Sequence, residues 1–196
     1  LSGSPYTVAE EEKISVRTGD TDHTPYEWQT VASRSTYCAG NATKLAAEDL
    51  RNKVLELAQI KMGTWKNDLY LEGGYVCRKF YPDQKVPLAA FALGLTLPDQ
   101  SGIGGPMIGV GSFVVPNNIA ADKKTGLSPK PVAFWSMGVN GAEVEVDTET
   151  GKIKVLKMVS VFDAGKVINP AMYEGQAEGA MVQAMGTALY EELKLK

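Results

Sequence analysis

One histidine, His23, and two cysteines, Cys38 and Cys77, are the whole supply of imidazole and thiol in a chain of 196 residues. That scarcity excludes histidine-cluster metal sites and cysteine-ligated clusters, and it leaves no histidine-relayed nucleophile unless His23 itself serves. A disulfide between the two cysteines is allowed but nothing in the pattern requires it. Basic excess is also missing. The net charge of −3 gives no means of neutralising a phosphate backbone, so nucleic acid is excluded as a partner. No apolar run reaches the length of a membrane span, and the opening "LSGSPYTVAEEEK" lacks the basic and apolar regions of a secretory signal. No membrane association and a cytoplasmic location are the resulting expectations.

The remaining composition is that of a folded protein. Hydrophobic residues make up 44% and charged residues 22%, enough to bury a core. "KISVRTGD" alternates Ile14 and Val16 with polar neighbours before Gly19-Asp20, which predicts a short strand ending in a turn. From Asn41 to Met62 the apolar residues Leu45, Leu50, Val54, Leu57 and Ala58 recur at helical steps, and Gly63 stands where a left-handed glycine would stop the helix. "NDLYLEGGYVCRKF" predicts a hairpin around Gly73-Gly74, and "KVPLAAFALGL" a short helix from near Pro87.

The run "SGIGGPMIGVGSFVVP" holds Gly102, Gly104, Gly105, Gly109 and Gly111. A phosphate loop needs such glycines directly after a strand and opening a helix. Here Pro106 interrupts the run and strand-like residues end it, which favours a connection into an extended strand. "PNNIAADKKTGLSPKP" reads as a long loop. "AEVEVDTETGKIKVLKMVSVFDAG" reads as two strands about Gly151, with Glu143, Glu145 and Asp147 facing lysines across the pair, so these carboxylates are structural. Asn169 and Pro170 then suit the cap and first position of a helix. That helix is thin: Gly175, Ala177, Gly179, Ala180, Ala184, Gly186 and Ala188 keep its surface small. Each glycine costs about 1 kcal/mol against alanine. Either tight packing against a neighbouring element or a ligand beside Gln176 would account for it.

"TVASRST", Thr30–Thr36, places four hydroxyls and one guanidinium within seven residues ahead of the first helix. A polar turn with a helix cap explains it, and so does a cradle for an anion, because free N–H groups at a helix start favour negative charge. The thin helix with Gln176 near its start is a second place where small residues admit a ligand.

Together, "GDTDHTPYEWQTVASRSTYCAGNA" and "GAEVEVDTETGKIKVLKMVSVFDAGKVINPAMYEGQAEGAMVQAMGTALYEEL" resemble the molybdenum hydroxylase family. That family includes xanthine dehydrogenase, aldehyde oxidoreductase, carbon monoxide dehydrogenase and 4-hydroxybenzoyl-CoA reductase. The resemblance is to the second molybdopterin-binding part of the large subunit and covers the whole order of elements.

It implies an α+β fold with helices packed on mixed sheet, as a C-terminal molybdopterin-binding domain fragment spanning 1–196. Subdomains at 1–65 and 132–196 would be joined by a loop-rich segment, 66–131. It further implies that Val31, Ala32, Ser33, Arg34, Ser35, Thr36 and Gln176 bind a molybdenum-molybdopterin cofactor, which a cytosine dinucleotide form would also suit. Arg34 would serve either as a contact or to set the loop. The parent reaction would be hydroxylation of an aldehyde, purine or aromatic substrate with water, or the related reduction. A [2Fe-2S] cluster and FAD would lie on other domains or subunits. The partners would be the remainder of the large subunit, those redox partners and a small-molecule substrate, with a homodimer allowed. The family's base glutamate would lie beyond the chain end, so no catalytic residue is assigned, no side chain is a metal ligand, and the chain alone is expected to be inactive. Two readings from other classes compete: a noncatalytic module binding a nucleotide phosphate, and an assembly domain whose thin helix is a packing face.

Overall fold

The computed structural model describes residues 14–27 and 30–195, and the chain divides into two compact units, Leu1–Pro116 and Asn117–Lys196.

The first unit is built on one long helix, α1, Ser35–Met62. Gly63 ends it in a left-handed conformation (φ 59°, ψ 42°), and the N–H groups of Gly63 and Thr64 return to the carbonyls of Ile60 and Gln59. Those bonds satisfy carbonyls that the helix end would leave unpaired. The helix starts six residues before the expected Asn41. Its first turns carry Ser, Thr, Tyr, Cys and Gly, all weak helix formers. Tertiary and local contacts offset this: the Tyr37 ring meets Phe113 edge-on at 5.2 Å, and Asn41 Nδ2 donates to the Tyr37 carbonyl at 2.6 Å.

Three antiparallel strands follow: β1 Leu69–Glu72, β2 Tyr75–Arg78 and β3 Tyr81–Pro87. Gly73 (φ 54°) and Gly74 (φ 85°) form the turn between β1 and β2; both central residues have positive φ, as a two-residue type I′ hairpin demands. The expected helix near Pro87 is a short 3-10 turn, Leu88–Phe91. A minimal ribbon, β4 Leu95–Thr96 with β5 Gly102–Ile103, follows. Val54, Leu55, Leu57 and Ala58 of α1 share one core with Leu69, Leu71, Val76 and Phe91, so the segment after α1 completes that helix's hydrophobic stripe. Full burial of each large side chain there contributes roughly 1.5–3 kcal/mol. Leu45, expected in the stripe, is 40% exposed because it lies nearer the helix start than this core reaches.

The strand expected at "KISVRTGD" is absent. Ile14 to Thr18 make no ladder among the described residues, and Val16 is 77% exposed; Lys13 lies outside the described residues. Alternation specifies a strand only where an edge is available to pair with. The glycine-rich run opens no helix. After β5 it continues extended, and its odd-numbered residues from Ile103 to Val115 are half-buried while the even-numbered ones are exposed. It has the side-chain alternation of a strand without the ladder.

The second unit begins with the expected loop, folded on itself: Ile119 N–H donates to the Lys130 carbonyl and Ser128 Oγ to the Ile119 carbonyl. It then forms the expected hairpin, β6 Met137–Val146 with β7 Ile153–Asp163, closed at Gly151 (φ 72°). The register sets Glu145 opposite Lys154 and Glu143 opposite Lys157. Helix α2, Pro170–Leu189, starts as expected: Asn169 accepts from Met172 N–H at 3.1 Å and Pro170 occupies the first position. No described residue of this unit is fully buried. Helices and antiparallel sheets are thus segregated along the chain, in an α+β arrangement.

Candidate functional site

In the first unit, the loop Val31–Arg34 leads directly into α1. Ala32 (φ 58°) and Ser33 (φ 52°) are consecutive left-handed residues, and neither is glycine. For an L-residue that conformation costs roughly 1–2 kcal/mol, and two in succession are rare. Arg34 then returns to φ −94° and serves as the helix N-cap residue without a side-chain cap hydrogen bond. A reversal of φ sign between neighbours turns successive N–H groups toward a common side, the geometry of an anion-binding nest.

The surroundings favour negative charge at that point. No acidic residue stands in the first turn of α1. One described carboxylate, Glu27, pairs with the Arg34 guanidinium at 3.7 Å, so Arg34 is engaged. Among the described residues no protein group takes a hydrogen bond from, or gives one to, the hydroxyls of Ser33, Ser35 and Thr36. Ser33 and Thr36 are exposed and Ser35 is half-buried. Ser35 and Thr36 belong to the helix itself, so their N–H groups lie in the turn where no intrahelical acceptor exists. Val31, 47% exposed, supplies the carbonyl that accepts from Arg34 N–H at 3.4 Å.

In the second unit, Gln176 lies on the exposed side of α2, in a shallow groove of about 510 Å³ lined by Gly175, Gln176, Gly179, Ala180, Val182 and Gln183. A Cβ added at Gly175 or Gly179 would meet no atom within 4 Å. The thinness of this face is therefore not used by packing among the described residues. Gln176 offers both an amide donor and a carbonyl acceptor there.

A second groove, of about 390 Å³, lies in the first unit between α1 and the glycine-rich run, beside Lys53, Leu57, Met107 and Ile108. None of the expected cofactor contacts, Val31–Thr36 and Gln176, lines it. Sequence reasoning also missed the left-handed pair, for which alanine gives no signal, and the roles of Gly109 and Gly111. A Cβ at Gly109 would collide with the Ala46 carbonyl, and one at Gly111 with the Ala42 carbonyl and the Ala46 N–H. These glycines are required by close approach of the extended run to α1 and cradle no phosphate. His23 is held by Asp20 (Nδ1 to Oδ2, 2.9 Å) within a tight turn. No group of three or more His, Cys, Asp or Glu side chains that could hold a metal occurs among the described residues. No described helix is long and apolar enough to cross a membrane.

Comparison with known proteins adds to this geometry. The family model for the molybdopterin cofactor-binding domain matches residues 8–196. The chain is 33% identical over 181 residues to the probable hypoxanthine oxidase XdhD of Escherichia coli (strain K12), covering 92% of this chain and 17% of that protein. It is 30% identical over 182 residues to the nicotine 6-hydroxylase large subunit of Paenarthrobacter nicotinovorans, covering 93% of this chain and 21% of that subunit. In fold it superposes on a crystal structure of the Cu,Mo-CO dehydrogenase with a TM-score of 0.70, at 24% identity, over 90% of this chain and 20% of that one. The chain thus spans about a fifth of the length of the relatives it matches.

Proposed function

The chain belongs to the molybdopterin cofactor-binding domain family, and on that premise we propose that Val31–Thr36 and Gln176 are its contacts to a molybdenum-molybdopterin cofactor. The observation that carries this reading is the left-handed pair Ala32–Ser33 at the uncapped start of α1. A strained loop persists only where its surroundings or its function require it. The residues fit the group in chemistry: several neutral donors, one guanidinium paired with Glu27, and, among the described residues, no acidic side chain in the first turn of α1.

When bound, the cofactor supplies the electron-accepting chemistry of an oxidoreductase, and the protein's part is to bind and orient it. The N–H groups of Ser33, Ser35 and Thr36 would donate toward its anionic oxygens, strengthened by the positive end of the helix dipole. The hydroxyls of Ser33, Ser35 and Thr36 add donors that rotate to suit their acceptors. Gln176 would offer the cofactor one hydrogen-bond donor and one acceptor. Gly175 and Gly179 would leave room beside it. None of these groups is a proton-transfer catalyst, so the chain contributes binding, and by itself is inactive.

The parent protein in this reading is a xanthine dehydrogenase-type oxidoreductase that hydroxylates an aldehyde, purine or aromatic substrate with water, or runs the related reduction. Names among the relatives, hypoxanthine oxidase and nicotine 6-hydroxylase large subunit, support such heteroaromatic substrates. The word "subunit" in the second supports further subunits as partners, with [2Fe-2S] and FAD carrying electrons away.

The test is the molybdenum and pterin content of the purified complete protein with Ser33→Ala, Gln176→Ala and the double substitution. A hydrogen bond to a charged group is worth about 1.5–3 kcal/mol and a neutral one about 0.5–1.5 kcal/mol, so Ser33→Ala should weaken retention by about tenfold or more and Gln176→Ala by about two- to tenfold. Full metal occupancy in the double variant would end the reading.

A further inference from the structure

The extended run from Met107 to Phe113 lies along α1 in the direction opposite to the helix. Four sets of contacts hold it, in order. Lys53 Nζ donates to the Ile108 carbonyl at 3.0 Å and to Asp49 Oδ2 at 2.7 Å. Asp49 Oδ2 also accepts Val110 N–H at 3.0 Å. Gly109 and Gly111 then bring backbone onto backbone: a Cβ at Gly109 would stand 2.8 Å from Leu50 Cβ, and one at Gly111 2.9 Å from the Leu45 carbonyl carbon, besides the collisions with Ala42 and Ala46. Phe113 finally meets the Tyr37 ring at 5.2 Å, one turn inside the start of α1. The contacts progress from Lys53 to Tyr37, so the run ends on the first turn of α1, four residues after Ser33.

The start of α1 is weakly specified by its own residues. It lacks a side-chain cap, its residues are weak helix formers, and the core of the unit begins only at Val54. We propose that Met107–Phe113 is a strap that fixes the first turns of α1 and thereby holds Ala32 and Ser33 in their left-handed form, with Asp49, Gly109, Gly111 and Phe113 as positioning residues. Asp49 works from both sides: it anchors the strap backbone directly and aims Lys53 at the next carbonyl. The two glycines set the depth of the seam, and the aromatic pair transmits it to the loop. The consequence for the cofactor rests on the function proposed above; the mechanical role does not.

Two measurements separate them. Amide hydrogen exchange, followed by mass spectrometry on the protein purified with its native partners, reads the strap itself. Phe113→Ala and Gly111→Ala should speed exchange of the Cys38–Asn41 amides by about tenfold, as expected for a local opening, while the β1–β2 hairpin and the β6–β7 hairpin keep their protection. Phe113→Tyr, which preserves the ring pair, should restore slow exchange. Unchanged exchange at Cys38–Asn41, or acceleration spread equally over the β1–β2 core, would overturn the strap, because the residues would then be idle or merely structural. Molybdenum and pterin content of the same variants reads the consequence. Loss of cofactor with selective opening supports both claims. Selective opening with full cofactor occupancy in these variants and in Ser33→Ala keeps the strap and removes the binding site.

Discussion

The Tyr173 hydroxyl donates to the Phe162 carbonyl at 3.1 Å, tying the first turn of α2 to the last residues of β7. In a unit with no fully buried residue among those described, such a bond carries a larger share of the order than it would above a packed core. Tyr173→Phe keeps the ring and removes the donor. Net hydrogen-bond contributions are about 0.5–1.5 kcal/mol, so the expected loss lies in that range. Urea unfolding followed by circular dichroism should show it as a lower midpoint with an unchanged slope. An unchanged midpoint would mean that water replaces the bond at no cost.

Asn169→Ala tests the entry to the same helix. The Asn169 side chain accepts from Met172 N–H at 3.1 Å and satisfies one of the donors a helix start leaves open. Removing it should destabilise α2 by about 1 kcal/mol, with Asn169→Ser restoring most of that. A serine variant no better than alanine would rule out capping as the reason for the asparagine.

Ala32→Gly tests whether the loop before α1 stores strain. Glycine relieves a left-handed cost of roughly 1–2 kcal/mol and pays part of it back in unfolded-chain entropy. A small rise in Tm is therefore expected, whereas Ala32→Val should lower it. If the two substitutions behave alike, Ala32 is not held in the left-handed form in solution.

Acid should weaken the seam beside α1. The Asp49 carboxyl is held below the ordinary carboxylate value, first by its hydrogen bond to Lys53 and then by Val110 N–H. Thr125 N–H and hydroxyl lower Asp122, and the Thr150 side chain with the Glu149 N–H lowers Asp147. A depressed native pKa gives stability that is complete above the unfolded value, about 4, and fades as pH falls through the lower native one. Tm should thus drop on acidification below about pH 4, and Asp49→Asn should flatten that fall. An acid limb equally steep in wild type and variant would show that other carboxylates set it.

The parts of the fold legible in the sequence are those specified locally. Asn169-Pro170 states a helix start, Gly63 a helix end, and Gly73-Gly74 and Gly151 two turns, because each conformation belongs to few residue types. Elements defined by distant partners were not legible. Ile14 and Val16 alternate, yet find no edge among the described residues. Strand β3 hides behind Pro82 and Asp83, poor strand residues that an exposed edge tolerates. The early start of α1 depends on Phe113, far along the chain. For the candidate site, the hydroxyls were evident, but an alanine and a serine give no warning of a left-handed backbone. The glycines that resembled a phosphate loop serve a backbone contact instead, and only the location of Ala42 and Ala46 reveals it.

The open flank of α2 makes two of its glycines into steric probes. A methyl at Gly175 or Gly179 touches nothing within 4 Å here and should firm the helix by about 1 kcal/mol. The sign of the alanine effect, read with and without added cofactor or partner protein, therefore works as a feeler gauge: gain alone and loss in company would measure, to the width of one carbon, how near a neighbour comes.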